Sequence, residues 1–191
     1  MSESTAVLLQ RARTGKLTND ELDLVVSRLG ESSGALEDLD LLRTIGYAGD
    51  TTRAPILERY LDLHDRPTVL ALVLDILCND WRLADRYMSY VERFIGGVDW
   101  DRDDDVRAIA MSIAANRIRS GRDRQLLSQL IEIAGDSNQA SELRAWAYFC
   151  IGRAMDEDWA KRLGFTDPVP MEAGSPESLL SRARTFVDEG I

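Results

Sequence analysis

The stretch Thr68–Cys78, TVLALVLDILC, constrains the fold more than any other part of the chain. Only Thr68 and Asp75 in it are polar. A helix that is apolar almost all round is buried on most sides. The run is too short to span a membrane, which takes about 20 apolar residues. It therefore predicts an interior helix with neighbours on both flanks. The same pattern returns as Val106–Ala115 (VRAIAMSIAA) and Leu143–Gly152 (LRAWAYFCIG). The period is roughly 37 residues, within the range of stacked helical hairpins. Val69, Val106 and Leu143 align, as do Ala71, Ala108 and Ala145. Val73, Ala110 and Ala147 follow, then Ile76, Ile113 and Cys150. A weaker copy lies earlier, at Leu36–Tyr47, with Ile45 under Leu77. One hairpin cannot bury its apolar face alone, so neighbouring copies stack.

Each copy is preceded by a second amphipathic segment: Leu22–Leu29, Ile56–Leu63, Tyr87–Ile95 and Leu126–Ile133. Apolar residues fall there at helical spacing, as in Tyr87, Met88, Val91, Phe94 and Ile95. The unit is helix, short turn, helix. Asp105-Val106-Arg107-Ala108-Ile109-Ala110 opens one second helix, and Glu142-Leu143-Arg144-Ala145-Trp146-Ala147 opens the next. In these residues the chain resembles the HEAT repeat family, including its short bacterial members. Pro67-Thr68-Val69-Leu70 keeps the turn proline but has Leu70 where that family has arginine, and the earliest copy lacks the motif. The resemblance covers about residues 18–155. It implies an all-α fold, an α-α superhelix of about four helical hairpins with flanking N- and C-terminal helices. Residues 1–17 then form a leading helix, 18–155 the repeats, and 156–191 a loop and a C-terminal capping helix.

Local signals agree with that division. Thr18-Asn19-Asp20-Glu21 is a capping box. Gly30–Gly34 reads as a turn, as does His64-Asp65-Arg66-Pro67, whose proline suits the first turn of the buried helix. Gly164–Gly174, with Pro168 and Pro170, reads as a loop; Ser175-Pro176-Glu177 starts a last helix with an apolar stripe of Leu179, Leu180, Ala183, Phe186 and Val187.

The net charge is −10, and only Lys16 and Lys161 among 23 basic residues are lysine. The arginine bias suggests a high-GC, bacterial genome. The negative charge argues against general nucleic-acid binding, whose affinity comes largely from phosphate neutralisation, and favours a basic partner. Cys78 and Cys150 sit in buried-type segments and read as reduced core thiols of a cytoplasmic protein. The N-terminal residues show neither a basic leader nor a long apolar region, so no secretion signal or membrane anchor is expected.

Catalytic signals are weak. Asp99, Asp101 and Asp103 have the opening spacing of a calcium loop, but Asp104 and Ala110 stand where such a loop needs glycine and glutamate. The acidic turn is read instead as a cap, its last carboxylates facing the helix that starts near Val106. His64 is the lone histidine, and no nucleophile is tied to it by sequence. Cys78, Cys150 and His64 lack paired zinc-ligand spacing, and no glycine-rich phosphate loop occurs. No cofactor or metal is expected.

HEAT-like stacks line their concave face with the second helix of each hairpin, as the resemblance implies. Position 75 lies about 200° round the helix from position 73, so it is expected to face outward. The equivalent rows are Arg43, Asp75, Ser112 and Phe149, and one turn on Tyr47, Asn79, Asn116 and Arg153. These rows, with Trp100, Asp101 and Asp103 of the acidic turn, are the expected contacts for a protein partner. The expected function is a non-catalytic scaffold similar to bacterial immunity-type inhibitors, which hold a basic toxin. The alternative is a ligand- or chromophore-handling protein resembling the HEAT-like bilin lyases, which would need an apolar pocket.

Overall fold

A computed structural model describes residues 3–31, 35–121, 123–163 and 176–189. The loop expected at 164–174, the cap Ser175 and the turn residues 32–34 lie outside the described residues. The fold is all-α: α1 (Thr5–Arg13), α2 (Asn19–Glu31), α3 (Ala35–Ala48), α4 (Ala54–Glu58), α5 (Pro67–Asp75), α6 (Ala84–Ile95), α7 (Asp105–Gly121), α8 (Arg124–Gly135), α9 (Ser141–Ala154), α10 (Asp158–Arg162) and α11 (Pro176–Glu189). The chain divides into two compact units, Met1–Tyr87 and Met88–Ile191. Among the described residues, no helix is long and apolar enough to cross a membrane.

In the first unit α1, α2 and α5 pack on α3, around Leu8, Val25, Leu41, Ile45 and Leu70. The capping box forms as expected: the Glu21 N–H donates to Thr18 Oγ1 at 3.3 Å, and the Thr18 N–H to Glu21 Oε2 at 2.7 Å. The segment Ile56–Leu63 does not form one helix. Helix α4 ends at Glu58, and the Tyr60 and Leu61 N–H groups donate to Leu57 and Glu58 carbonyls three residues back. This tighter winding still buries Leu61 and leads into Arg66, which Pro67 holds out of the helical region at φ −133°, ψ 62°.

The apolar run Thr68–Cys78 is interior, but it is not one regular α-helix. After Asp75 it widens into a π-helical segment, Ile76–Asp80, closed by Trp81 N–H donating to the Ile76 carbonyl at 2.9 Å. The wider turn brings the Trp81 indole over α3, where Nε1 donates to the Gly46 carbonyl at 3.0 Å. A buried indole N–H needs such a partner.

In the second unit α9 packs against α7, α8 and α10, and α11 lies on α8 and α9. The unbroken runs Ala110–Ala115 in α7 and Ala147–Gly152 in α9 are buried throughout, and such runs cover every face of a 3.6-residue turn. Helix α10 folds back on α9 through Gly152. A Cβ there would meet Trp159 Cζ2 at 2.5 Å and Cη2 at 2.8 Å. The Trp159 ring stacks on Tyr148 at 5.5 Å and 14°.

The repeated arginines have a shared role inside this unit. Arg107 Nε donates to the carbonyl of Ile95, the last residue of α6, at 2.9 Å. Arg144 Nε donates to the carbonyl of Ala134, near the end of α8, at 3.4 Å. Each second helix thus returns a cation to the carbonyl end of the helix before it, where the helix dipole and the orphan carbonyls favour it. Gly97 makes room for Arg107: its φ is +83°, and a Cβ would lie 3.4 Å from the guanidinium carbon.

Cys78 and Cys150 are free and buried, as expected of core thiols. Burial pushes the Cys78 thiol up to about 12 and the Cys150 thiol further still. The thiolate is the reactive form. A thiol reagent is therefore expected to label both slowly in the native protein even at pH 9 and quickly in denaturant. Rapid native labelling of either would contradict its burial.

Candidate functional site

The expected outward rows reach the surface only in part. In the first unit Arg43 is exposed and pairs with Asp40 at 3.2 Å. Tyr47 is 51% exposed, with the Arg13 guanidinium 5.3 Å from its ring centre. Asp75 is half-buried and accepts from Asn79 Nδ2 at 2.7 Å, so the two rungs bond to each other across the π segment. In the second unit Ser112 and Phe149 are buried, which corrects the outward placement. Phe149 is 2% exposed, packed between Trp146 and Trp159 at 5.1 and 6.3 Å. The helical phase fails because α7 and α9 are covered on every side, so no row on their buried stretches reaches solvent. Asn116 and Arg153, nearer the helix ends, are half-buried, and Arg153 lies 5.9 Å from the Phe149 ring centre.

The acidic turn is partly internal too. Asp101 is 6% exposed, and its Oδ2 accepts the Arg107 N–H at 3.0 Å. Burial raises its carboxyl above the usual range, opposed by the N–H groups of Arg107 and Val106. Asp101, at the start of the turn, thus caps α7. Trp100 is half-buried and meets the Phe94 ring edge-on at 5.8 Å. Of the three expected contacts in this turn, only Asp103 is exposed. Among the described residues, no three His, Cys, Asp or Glu side chains converge as a metal site requires. His64 is half-buried in the turn before α5.

Burial raises the Asp75 carboxyl, against the lowering by Asn79. A raised native value means the folded state binds more protons than the unfolded chain between the two values, so this group's contribution to stability grows as pH falls through that window. Asp75→Asn keeps an acceptor for Asn79 and removes the charge. The variant is expected to be at least as stable as the parent at pH 7. Its advantage should shrink as pH falls toward 4. Urea melts at a series of pH values check this, and a variant clearly weaker at pH 7 would contradict it.

The candidate site lies elsewhere in the second unit. A cleft of about 310 Å³ is lined by Ile95, Gly96, Arg107, Gln129, Glu132, Ile133, Asp136 and Gln139. One wall is a continuous polar chain. Arg107, with its side chain 11% exposed, donates from Nε to Ile95 and from Nη1 to Gln139 Oε1 at 3.1 Å. Gln139 Nε2 donates in turn to Asp136 Oδ2 at 3.1 Å. The Asn138 N–H and the Gln139 side chain hold the Asp136 carboxyl below its usual range. These bonds tie the start of α7 to the end of α6 and to the connection after α8. Two acceptors on the next turns of α8 lie outside these bonds: Gln129 Oε1 is buried without a hydrogen-bond partner, and the exposed Glu132 carboxylate is unpaired, among the described residues. Residues 129 and 132 lie on the same helix face. The cleft therefore offers acceptors and negative charge. Of the polar lining residues sequence reasoning reached only Arg107, as part of the repeated motif; the cleft joins residues from three helices and two connections. No protein-family model, curated protein or solved structure matches this chain.

Proposed function

We propose that the chain is a non-catalytic, HEAT-like helical scaffold that binds a basic protein partner, in the manner of an immunity-type inhibitor. The acceptor-lined cleft, in a chain of net charge −10, carries the reading. Complementary charge steers association and rejects wrong partners. The solenoid part is supported by the recurring pattern of Val106–Ala115 and Leu143–Gly152 and by the matching ties of Arg107 and Arg144 to the preceding helix ends. A stacked array presents an extended surface, which such proteins use for recognition. Of the expected contacts, Arg43, Tyr47 and Asp103 remain exposed and available to a partner.

The test is affinity capture from the native host with the tagged chain, at low and at high salt. A basic protein enriched at low salt and associating more slowly as salt rises is the expected result. Recovery of no protein, or of an acidic one with no salt dependence, would overturn the reading. A co-purifying coloured ligand would overturn it in favour of a chromophore-handling role.

A further inference from the structure

We infer that the cleft between the start of α7 and the face of α8 is a receptor for a single arginine side chain, contributed by the partner. This rests on the proposed protein-binding function and names the chemistry of its central contact.

The cleft's own hydrogen bonds decide what it takes. Arg107, Gln139 and Asp136 are tied to one another, and Arg107 is further held by the Ile95 carbonyl and by Asp104 at 3.7 Å. Open to a ligand are the buried Gln129 Oε1, which has no hydrogen-bond partner among the described residues, and the exposed Glu132 carboxylate. A buried acceptor without a donor carries a desolvation cost that an incoming N–H recovers. An anion would leave that acceptor without a donor and would meet the Glu132 carboxylate. With Glu132 and Asp136 lining the cleft and Asp104 beside it, carboxylates outnumber the neighbouring cations, Arg107 in the wall and Arg144 near Asp136. The bound group is therefore a cation with several donors.

Guanidinium fits better than ammonium. The two open acceptors are one helical turn apart, about 5–6 Å between their Cβ atoms. A planar fork with five N–H donors reaches both, whereas an ammonium is a compact point donor. The volume of about 310 Å³ admits one such side chain, whose methylenes meet Ile95 and Ile133.

The experiment is a nuclear magnetic resonance titration of the isotope-labelled full chain with N-acetyl-arginine methylamide. The neutral citrulline analogue, of nearly the same shape, is the control. The arginine probe should produce saturable shifts at the Gln129 and Gln139 side-chain amides and at the Glu132 and Ile133 backbone amides. Citrulline should bind at least tenfold more weakly. Glu132→Gln, an exposed change on α8, should weaken the arginine probe about tenfold, and Asp99→Asn in the acidic turn should not. No saturable shift at these positions in tens of millimolar probe would overturn the inference, as would equal binding of citrulline. Equal loss on Asp99→Asn would overturn it too, because binding would then be diffuse attraction to acidic surface. The two proposals fail separately. If capture yields a basic partner and the titration is flat, the arginine receptor falls and the scaffold stands. If the probe saturates the cleft and capture yields nothing, the converse holds.

Discussion

Phe149→Ala is expected to lower stability by about 3–5 kcal/mol, the range for truncating a buried phenylalanine. The side chain is 2% exposed and lies between two tryptophan rings, Trp146 and Trp159. Its removal loses the transfer energy of the ring and leaves a void. The neighbours are poorly placed to fill that void. Trp146 is fixed by Nε1 donating to the Ala108 carbonyl on α7 at 2.9 Å, and Trp159 is stacked on Tyr148 and pressed against Gly152. Aromatic pairs contribute a further 0.5–1.5 kcal/mol or so beyond area. Chemical denaturation of parent and variant measures the difference. A loss below about 0.5 kcal/mol, the usual bound for surface changes, would return Phe149 to the surface. Phe149→Leu, which keeps much of the volume, should lose clearly less than Phe149→Ala.

The contrast between this residue and the rest of α9 shows how far the pattern of apolar residues reaches. Apolar character at Val69, Val106 and Leu143 marks interior helices, and all three residues are buried in such helices. The capping box at Thr18 and Glu21 is equally local, because both partners lie in one turn. Phase is a different matter. It is readable only for a helix with one wet face, and Ala110–Ala115 and Ala147–Gly152 have none. A signal for this does exist: no charged residue falls between Ala108 and Ala115, and Trp146-Ala147-Tyr148-Phe149 cannot all share one face. Gly152, flat enough to admit Trp159, is the companion clue. The π segment after Asp75 leaves no mark in composition, since its purpose is the distant bond from Trp81 to Gly46. The cleft was hidden for the same reason. Arg107, Gln129, Asp136 and Gln139 come together through hydrogen bonds between elements, which no spacing along the chain encodes.

The second large effect is expected at a buried ion pair in the first unit. Asp38, in the first turn of α3, is 4% exposed, and its Oδ2 accepts from Arg66 Nη2 at 2.5 Å. Its Oδ1 has no hydrogen-bond partner among the described residues, so Arg66 carries the compensation for the buried charge. Arg66 sits in the turn before Pro67, and its side chain is 28% exposed. Arg66→Met keeps an unbranched apolar stem and removes the guanidinium. Leaving one buried partner uncompensated costs about 3–5 kcal/mol. The double variant Asp38→Leu with Arg66→Met removes both charges, and replacing a buried pair by apolar groups of similar size is often close to neutral. The double variant is therefore expected to be more stable than Arg66→Met alone, although it carries one more substitution. It should fall short of the parent by roughly 0.3–1 kcal/mol, because an acidic residue in the first turn of α3 also favours the helix dipole. Urea melts of the parent, both single variants and the double variant give the coupling directly. If Arg66→Met costs less than about 1 kcal/mol and the cycle is additive, the pair behaves as an exposed one. The buried carboxylate would then have to be compensated by some other group.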